Sequence, residues 1–267
     1  MNIAVVGHVE WGRFVRVNHV PTPGTVMHAD DAWEEVAGGG GVAAMQLAQL
    51  NGGCEFFTAI GNDELGRRAV AQLEDCGVVV HAAIYDSQPT RSTFVHIDNR
   101  NERAITTIGR LRPSGEDESL PWERLADMDA IYFVSGDIQA LEYARKSEKL
   151  VSTARILPLL QSAGVWLDAL VGSGEDYDEM YHPGMLNPAP GLVVRTRGSE
   201  GCEVENGKRY KAELISKTDI ADAYGCGDSF AAALTLGIGE GLPLDKAVQL
   251  ATHTGALAMQ RRGAFGN

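Results

Sequence analysis

Two rhythms of apolar and polar positions alternate along this chain. Short apolar runs recur at Ile3–Val6, Phe56–Ile60, Val78–Val80, Ile131–Val134 and Leu150–Val151, and again from Leu192 to Thr196. That is the texture of strands buried on both faces. Between them the spacing turns helical. Gly38–Gly41 lead into a helix over Val42–Leu50, stopped by Asn51-Gly52-Gly53. Leu65, Ala69, Val70 and Leu73 share one face of a helix from Asp63 to Cys76, stopped by Gly77. Two helices close the chain, from Ser229 to about Ile238 and from Leu244 to about Gln260, with Pro243 suited to the first turn of the second. Strands alternating with helices predict an α/β fold, a mostly parallel central sheet flanked by helices. One stretch breaks the rhythm. Thr93–Ile97 and Ala104–Ile108 are β-rich and joined by the polar turn Asp98–Asn101, which predicts a hairpin projecting as a small β lid. The expected organisation is a single domain over residues 1–267, with lid elements near 8–36 and 90–110.

Charge and cysteine usage narrow the partners. A formal net charge of −13 over 267 residues argues against nucleic acid and anionic membrane as partners. Any phosphate must then be held by local N–H groups and a few placed cations. Met1–Gly7 has no basic flank and reads as a first buried strand, and no apolar run is long enough for a bilayer. Cys54, Cys76, Cys202 and Cys226 show no metal-type pairing, which suits a reduced, cytoplasmic protein.

The densest chemistry lies at Asp222-Ala223-Tyr224-Gly225-Cys226-Gly227-Asp228-Ser229-Phe230, followed at once by an apolar helix. Glycines let backbone N–H groups approach an anion, and the first N–H groups of a helix have no internal partner. Asp228, at the edge of that pocket, could accept a proton from an attacking hydroxyl. An Asp N-cap after a Gly-rich turn would look the same locally.

Four elements in order resemble the ribokinase, or PfkB-type, family of carbohydrate and nucleoside kinases, over nearly the whole chain. They are the Gly-rich run with Ile60–Gly66 after it, Val194–Gly201, Asp222–Phe230, and Arg261-Arg262-Gly263-Ala264. Ala223-Tyr224 stand where two threonines are commoner, and Cys226 where alanine is common. The resemblance implies a ribokinase-like fold and ATP-dependent phosphorylation of a hydroxyl on a sugar or nucleoside, with Mg²⁺. It makes Asp228 the general base and the backbone of Gly225, Cys226 and Gly227 the anion hole. Thr196, Gly198, Gly201 and Gly263 would shape the nucleotide pocket. Asp222 would support the loop, and in some relatives the matching carboxylate helps bind a monovalent cation. The turn at Gly39 and Gly40 would floor the acceptor site, and Thr93–Ile108 would exclude water. Such lids often pair across a dimer, so a homodimer is expected.

The acceptor side departs from the family pattern. Gly12 stands where many relatives have an aspartate, and Val42 (or Ala43) where they have an asparagine. Glu10 either supplies the missing carboxylate by a two-residue shift or is a solvated loop charge. Trp11 either stacks on a ring or packs against the lid. The family's Asn-x-x-Glu element, which organises magnesium-bound water, is matched best by Ser173 with Asp176, with Glu175 a near miss; an acidic surface turn would read alike. Arg13, Arg16, Arg91, Arg103, Arg110 and Arg112 could include a clamp for a phosphorylated acceptor or be surface charges. His8 either faces the acceptor or is structural. These departures also motivate an alternative, a catalytically silent binding protein on the same fold.

Overall fold

The computed structural model describes residues 1–205, 207–264 and 266. Strand β1 (Ile3–Val6) is followed by β2 (Glu10–Arg16), β3 (Asp31–Ala37) and helix α1 (Gly39–Asn51). Next come β4 (Cys54–Gly61), α2 (Glu64–Asp75) and β5 (Val78–Tyr85), then the hairpin β6 (Ser92–Ile97) and β7 (Arg103–Ile108). Alternation resumes with β8 (Ala130–Phe133), α3 (Ile138–Ala144), β9 (Lys149–Thr153), α4 (Leu157–Ala163), β10 (Ala169–Ser173) and β11 (Val193–Thr196). The short β12 (Cys202–Val204) and β13 (Arg209–Tyr210) precede α5 (Cys226–Gly239) and α6 (Leu244–Ala258).

Nine strands form the central sheet in the order β13-β12-β11-β10-β9-β8-β1-β4-β5. Its strands are parallel from β11 across to β5, while β12 and β13 add an antiparallel edge, so the sheet is mixed. Successive residues of a strand point to opposite faces, and here each face finds its own core. Ile3 and Val5 of β1, with Phe56, Tyr132 and Val194, pack under α1, α2, α5 and α6. Ala4 and Val6, with Phe57, Phe133 and Leu170, pack under α3, α4 and the turn carrying Trp122 and Leu125. Continuous apolar runs are the sequence trace of that two-sided burial. No described helix is long and apolar enough to cross a membrane.

The expected hairpin is present, with Phe94 opposite Thr106, but it is half of a larger unit. A second sheet of four strands runs β3-β2-β6-β7, with β2 parallel to β6. Strands β2 and β3 were hidden by their charges. Arg13 lies directly opposite Glu34 and pairs with it at 2.8 Å, so their polar residues satisfy one another across the ladder. On the inner face Phe14 stacks on Trp33 with ring centroids 5.1 Å apart and meets Tyr224 edge-on at 4.9 Å. Ala37, Val42, Val95, Ile97 and Ala264 complete this third cluster, which seats the second sheet over the starts of α1 and α5. Helix α5 begins at Cys226, three residues earlier than the apolar run suggested, so Asp228 lies inside its first turn.

Candidate active site

A cavity of 440 Å³ opens where the parallel strands end. Open α/β sheets place their ligand crevices at the carboxyl ends of strands. Here the wall is built from His8 beyond β1, Val134 and Ser135 beyond β8, Thr153 and Arg155 of the β9 end, Ser173 of β10 and Thr196 of β11. Strand β7 closes it from the second sheet: Arg103, Ile105 and Thr107, alternate residues of one face, all line the cavity.

Asp228 stands between two helix N-termini. An added Cβ on Gly39, the first residue of α1, would lie 2.8 Å from Asp228 Oδ1. Gly225 caps α5 with φ of 72°, a left-handed conformation that a side chain would strain. Gly227 is open, since an added Cβ there would meet no atom within 4 Å. The first turn of α5 therefore borders open space at Gly227 beside a carboxylate, at the positive ends of two helices. Among the described residues none donates a hydrogen bond to that carboxylate. Burial raises the Asp228 pKa, and the charges of Arg155 and Arg103 oppose the rise.

Two ion pairs flank Asp228. Glu179 is buried and accepts from Arg155 Nε at 2.8 Å and from Ser173 N at 2.9 Å. Burial works to deprotonate Arg155, but the charges of Asp228 and Glu179 prevail and hold its guanidinium more firmly protonated. Opposite, Glu10 is 4% exposed and takes Arg91 Nη2 at 2.6 Å. Burial raises the Glu10 pKa and Arg91 draws it back. His8 lies beside Glu10, and Ser135 Oγ bonds both its N and Nδ1 at 2.9 Å. Burial first, then Arg91 and Arg155, hold His8 well below the usual histidine range, so it is neutral at pH 7.

The sequence candidates divide around this cavity. Asp228, Gly225, Gly227, Thr196, Gly39, Glu10 and Ser173 line it. Cys226 lies between lining residues, and burial raises its thiol pKa, which fits a small packed residue. Gly40 is needed where α1 crosses the β1–β2 connection, since a Cβ would sit 2.5 Å from the His8 carbonyl. Val42 packs against Gly225 from the third cluster, and Gly12 is enclosed by Phe14 and Ala37 within the second sheet. Neither Gly40, Val42 nor Gly12 lines the cavity. Trp11 packs away from it, donating to Glu34 Oε2 at 3.1 Å under Arg68. Gly198 and Gly201 bracket the turn after β11 without lining the cavity. Asp176 N donates to Ser173 Oγ at 3.1 Å, but its exposed carboxylate caps a short turn through Asp178 N, and the carboxylate bonded to Ser173 is that of Glu179. Arg155 and Glu179 were missed because a turn over Tyr177–Glu179 and the end of β9 bring them together from 24 positions apart.

Asp222 supports the loop from outside the cavity. It is fully buried, and its oxygens accept from Tyr224 N at 2.8 Å and Gly263 N at 2.7 Å. Tyr224 in turn accepts from Gly38 N at 3.0 Å through its hydroxyl, so one aromatic ties the loop to the entrance of α1. Asp222→Ala would strand two N–H groups at a cost of about 1–3 kcal/mol each. A clear drop in thermal midpoint is the expected result, and an unchanged midpoint would refute the role.

Comparison with known proteins places this geometry. The model for the pfkB family carbohydrate kinases matches residues 1–170 and 167–266. A ribokinase from Lactococcus lactis is 20% identical over 99% of this chain and 92% of its own length. A nucleoside kinase from Methanothermobacter thermautotrophicus is 21% identical over 100% of this chain and 92% of its own. The crystal structure of a ribokinase from Thermotoga maritima superposes with a TM-score of 0.79 at 20% identity, covering 98% of this chain and 94% of that one. The chain belongs to the pfkB family of carbohydrate kinases, and is an ATP-dependent kinase of a small sugar or nucleoside hydroxyl.

Proposed function

We propose that phosphoryl transfer takes place in this cavity, with Asp228 as general base and the backbone of Gly225, Cys226 and Gly227 as the anion hole. The observation that supports it is the pairing, in one helix turn, of an open glycine with a carboxylate to which no described residue donates a hydrogen bond. Asp228 takes the proton of the acceptor hydroxyl. Backbone N–H groups and the charges of Arg155 and Arg103 oppose the negative charge of the transferred group, which is what this chemistry chiefly requires. ATP supplies the phosphoryl group, and the unfilled space over Gly227 is the cradle that fits it. Thr196 and the turn at Gly198 and Gly201 lie toward the nucleotide, and His8 and Glu10 toward the acceptor.

The donor set also fits magnesium. Among the described residues no three His, Cys, Asp or Glu side chains form a metal cage. Mg²⁺ suits such a site, because it keeps most of its waters and binds phosphate oxygens. Ser173 and Glu179 would hold it through water, where it would neutralise phosphate charge.

The second sheet would act as the lid that keeps water from the transferred group. Its outer strand β7 is an unpaired edge, with Phe94 and Ile108 exposed on the adjoining face. We accordingly propose a homodimer through this sheet; a monomer in sedimentation at micromolar concentration would overturn it. We also propose a cytoplasmic location, a reading that the four free thiols support. The direct test of function is label transfer from the γ-phosphate of Mg-ATP to sugars and nucleosides. Acceptor-dependent product supports the assignment, and label released only to water contradicts it.

A further inference from the structure

The cavity is far more basic than the chain around it. Five arginines line it against three carboxylates, in a protein of net charge −13. Of the six arginines that the sequence offered, Arg13 pairs with Glu34 and Arg16 donates to Asn101 and the Ala221 carbonyl, outside the cavity. The other four line it. Arg103 lies near the anion hole, since its charge acts on Cys226 and Asp228. With Arg155 it accounts for the transferred phosphoryl group. Arg91, Arg110 and Arg112 are left over.

Arg91 and Arg110 gather on the Glu10 side, and Arg112 lines the same cavity near Asp137. An added Cβ on Gly109 would lie 3.6 Å from Arg91 Cγ, so the chain carrying Arg110 passes beside Arg91. Among the described residues neither Arg110 nor Arg112 makes an ion pair or a hydrogen bond, and both are exposed at the cavity. Arg91 gives one nitrogen to Glu10, but its Nε is buried without a partner. A buried donor left unpaired is costly unless a ligand completes it. Among the described residues Arg110 has no carboxylate beside it, and the charge of Arg112 is met only through Asp137 without a direct ion pair. With the spare N–H of Arg91 they match a dianion with three terminal oxygens. A neutral sugar would leave the Arg110 charge unanswered.

We propose that the acceptor is itself a phosphate ester, a sugar or polyol monophosphate whose phosphate is bound by Arg91, Arg110 and Arg112. This rests on the kinase assignment above and narrows its substrate class. The free hydroxyl then meets Asp228, and Glu10 with His8 face the rest of the carbon chain.

The test compares ADP formation with ribose, fructose and glycerol, each beside its monophosphate esters and the corresponding sugar acid. At least one ester is expected to exceed its neutral parent in kcat/KM by about 10²-fold or more, as paired charge-assisted bonds allow. In the double variant Arg110→Ala, Arg112→Ala the KM for that ester rises about 10- to 100-fold. The KM for ATP in the same variant moves less than about 3-fold, since the nucleotide would touch neither residue. Neutral parents or sugar acids used as well as the esters would overturn the inference while leaving the kinase assignment standing. So would a variant in which the KM for ATP rises as much as that for the ester. Transfer to no acceptor at all would overturn both.

Discussion

Asp228→Asn lowers kcat by about 10²–10⁴-fold, the usual worth of a general base, while ATP binds with nearly unchanged affinity. The amide keeps the shape of the carboxylate, and no hydrogen bond from a described residue is lost. Stability distinguishes this substitution from a folding defect. Burial raises the Asp228 pKa, so the folded state holds that proton more tightly than the unfolded state does. At pH 7 the ionised carboxylate therefore costs the native state free energy, and Asn removes the cost. The variant should melt at the same temperature as the parent or higher. The acid limb of the parent's kcat profile follows the same sign. Activity falls as pH drops through the Asp228 pKa, and that limb lies above the ordinary aspartate value of about 3.9. An Asn variant that retained the limb would show that another group titrates.

Gly227→Ala separates folding from anion binding. The added methyl meets no atom within 4 Å apart from its chain neighbours and its own helix backbone, and alanine is the better helix former by about 1 kcal/mol. The folded protein should thus be as stable as the parent or slightly more so. Yet, on the proposed anion-hole reading, the methyl would stand where the phosphate approaches the first N–H groups of α5. Losing one such donor costs about 10²–10³-fold in kcat. Gly225→Ala should behave differently, since its φ of 72° and the Val42 methyl 2.9 Å from an added Cβ make the damage structural. A Gly227→Ala enzyme with full activity would move the phosphate away from this turn.

The loop around Asp228 was legible because all its parts are neighbours in sequence: glycines, a carboxylate and the start of a helix. The central sheet was legible for a similar reason, since burial on both faces writes apolar runs into single strands. What stayed hidden depends on distant partners. Arg155 and Glu179 look like surface charges until the ends of β9 and β10 converge and Glu179 turns back under Ser173. Asp176 was preferred for its spacing, yet that turn points it at solvent. Glu10 read equally as a shifted acceptor carboxylate or a solvated loop charge, and becomes a buried partner of Arg91 only when β2 pairs with β6. That same pairing encloses Gly12 and leaves Glu10, two residues earlier, as the carboxylate that lines the cavity on this side. Strands β2 and β3 escaped because their charges satisfy one another across the ladder, a compensation no single strand reveals.

The central claim is that Asp228 activates the acceptor hydroxyl at the N-terminus of α5. Its most direct test follows label from the γ-phosphate of Mg-ATP into an acceptor, with parent and Asp228→Asn enzymes compared at matched nucleotide occupancy. The expected result is acceptor-dependent transfer by the parent and its near-complete loss in the variant, with ATP still bound. Transfer by the variant at the parent's rate would contradict the claim and send the search for the base elsewhere in the cavity.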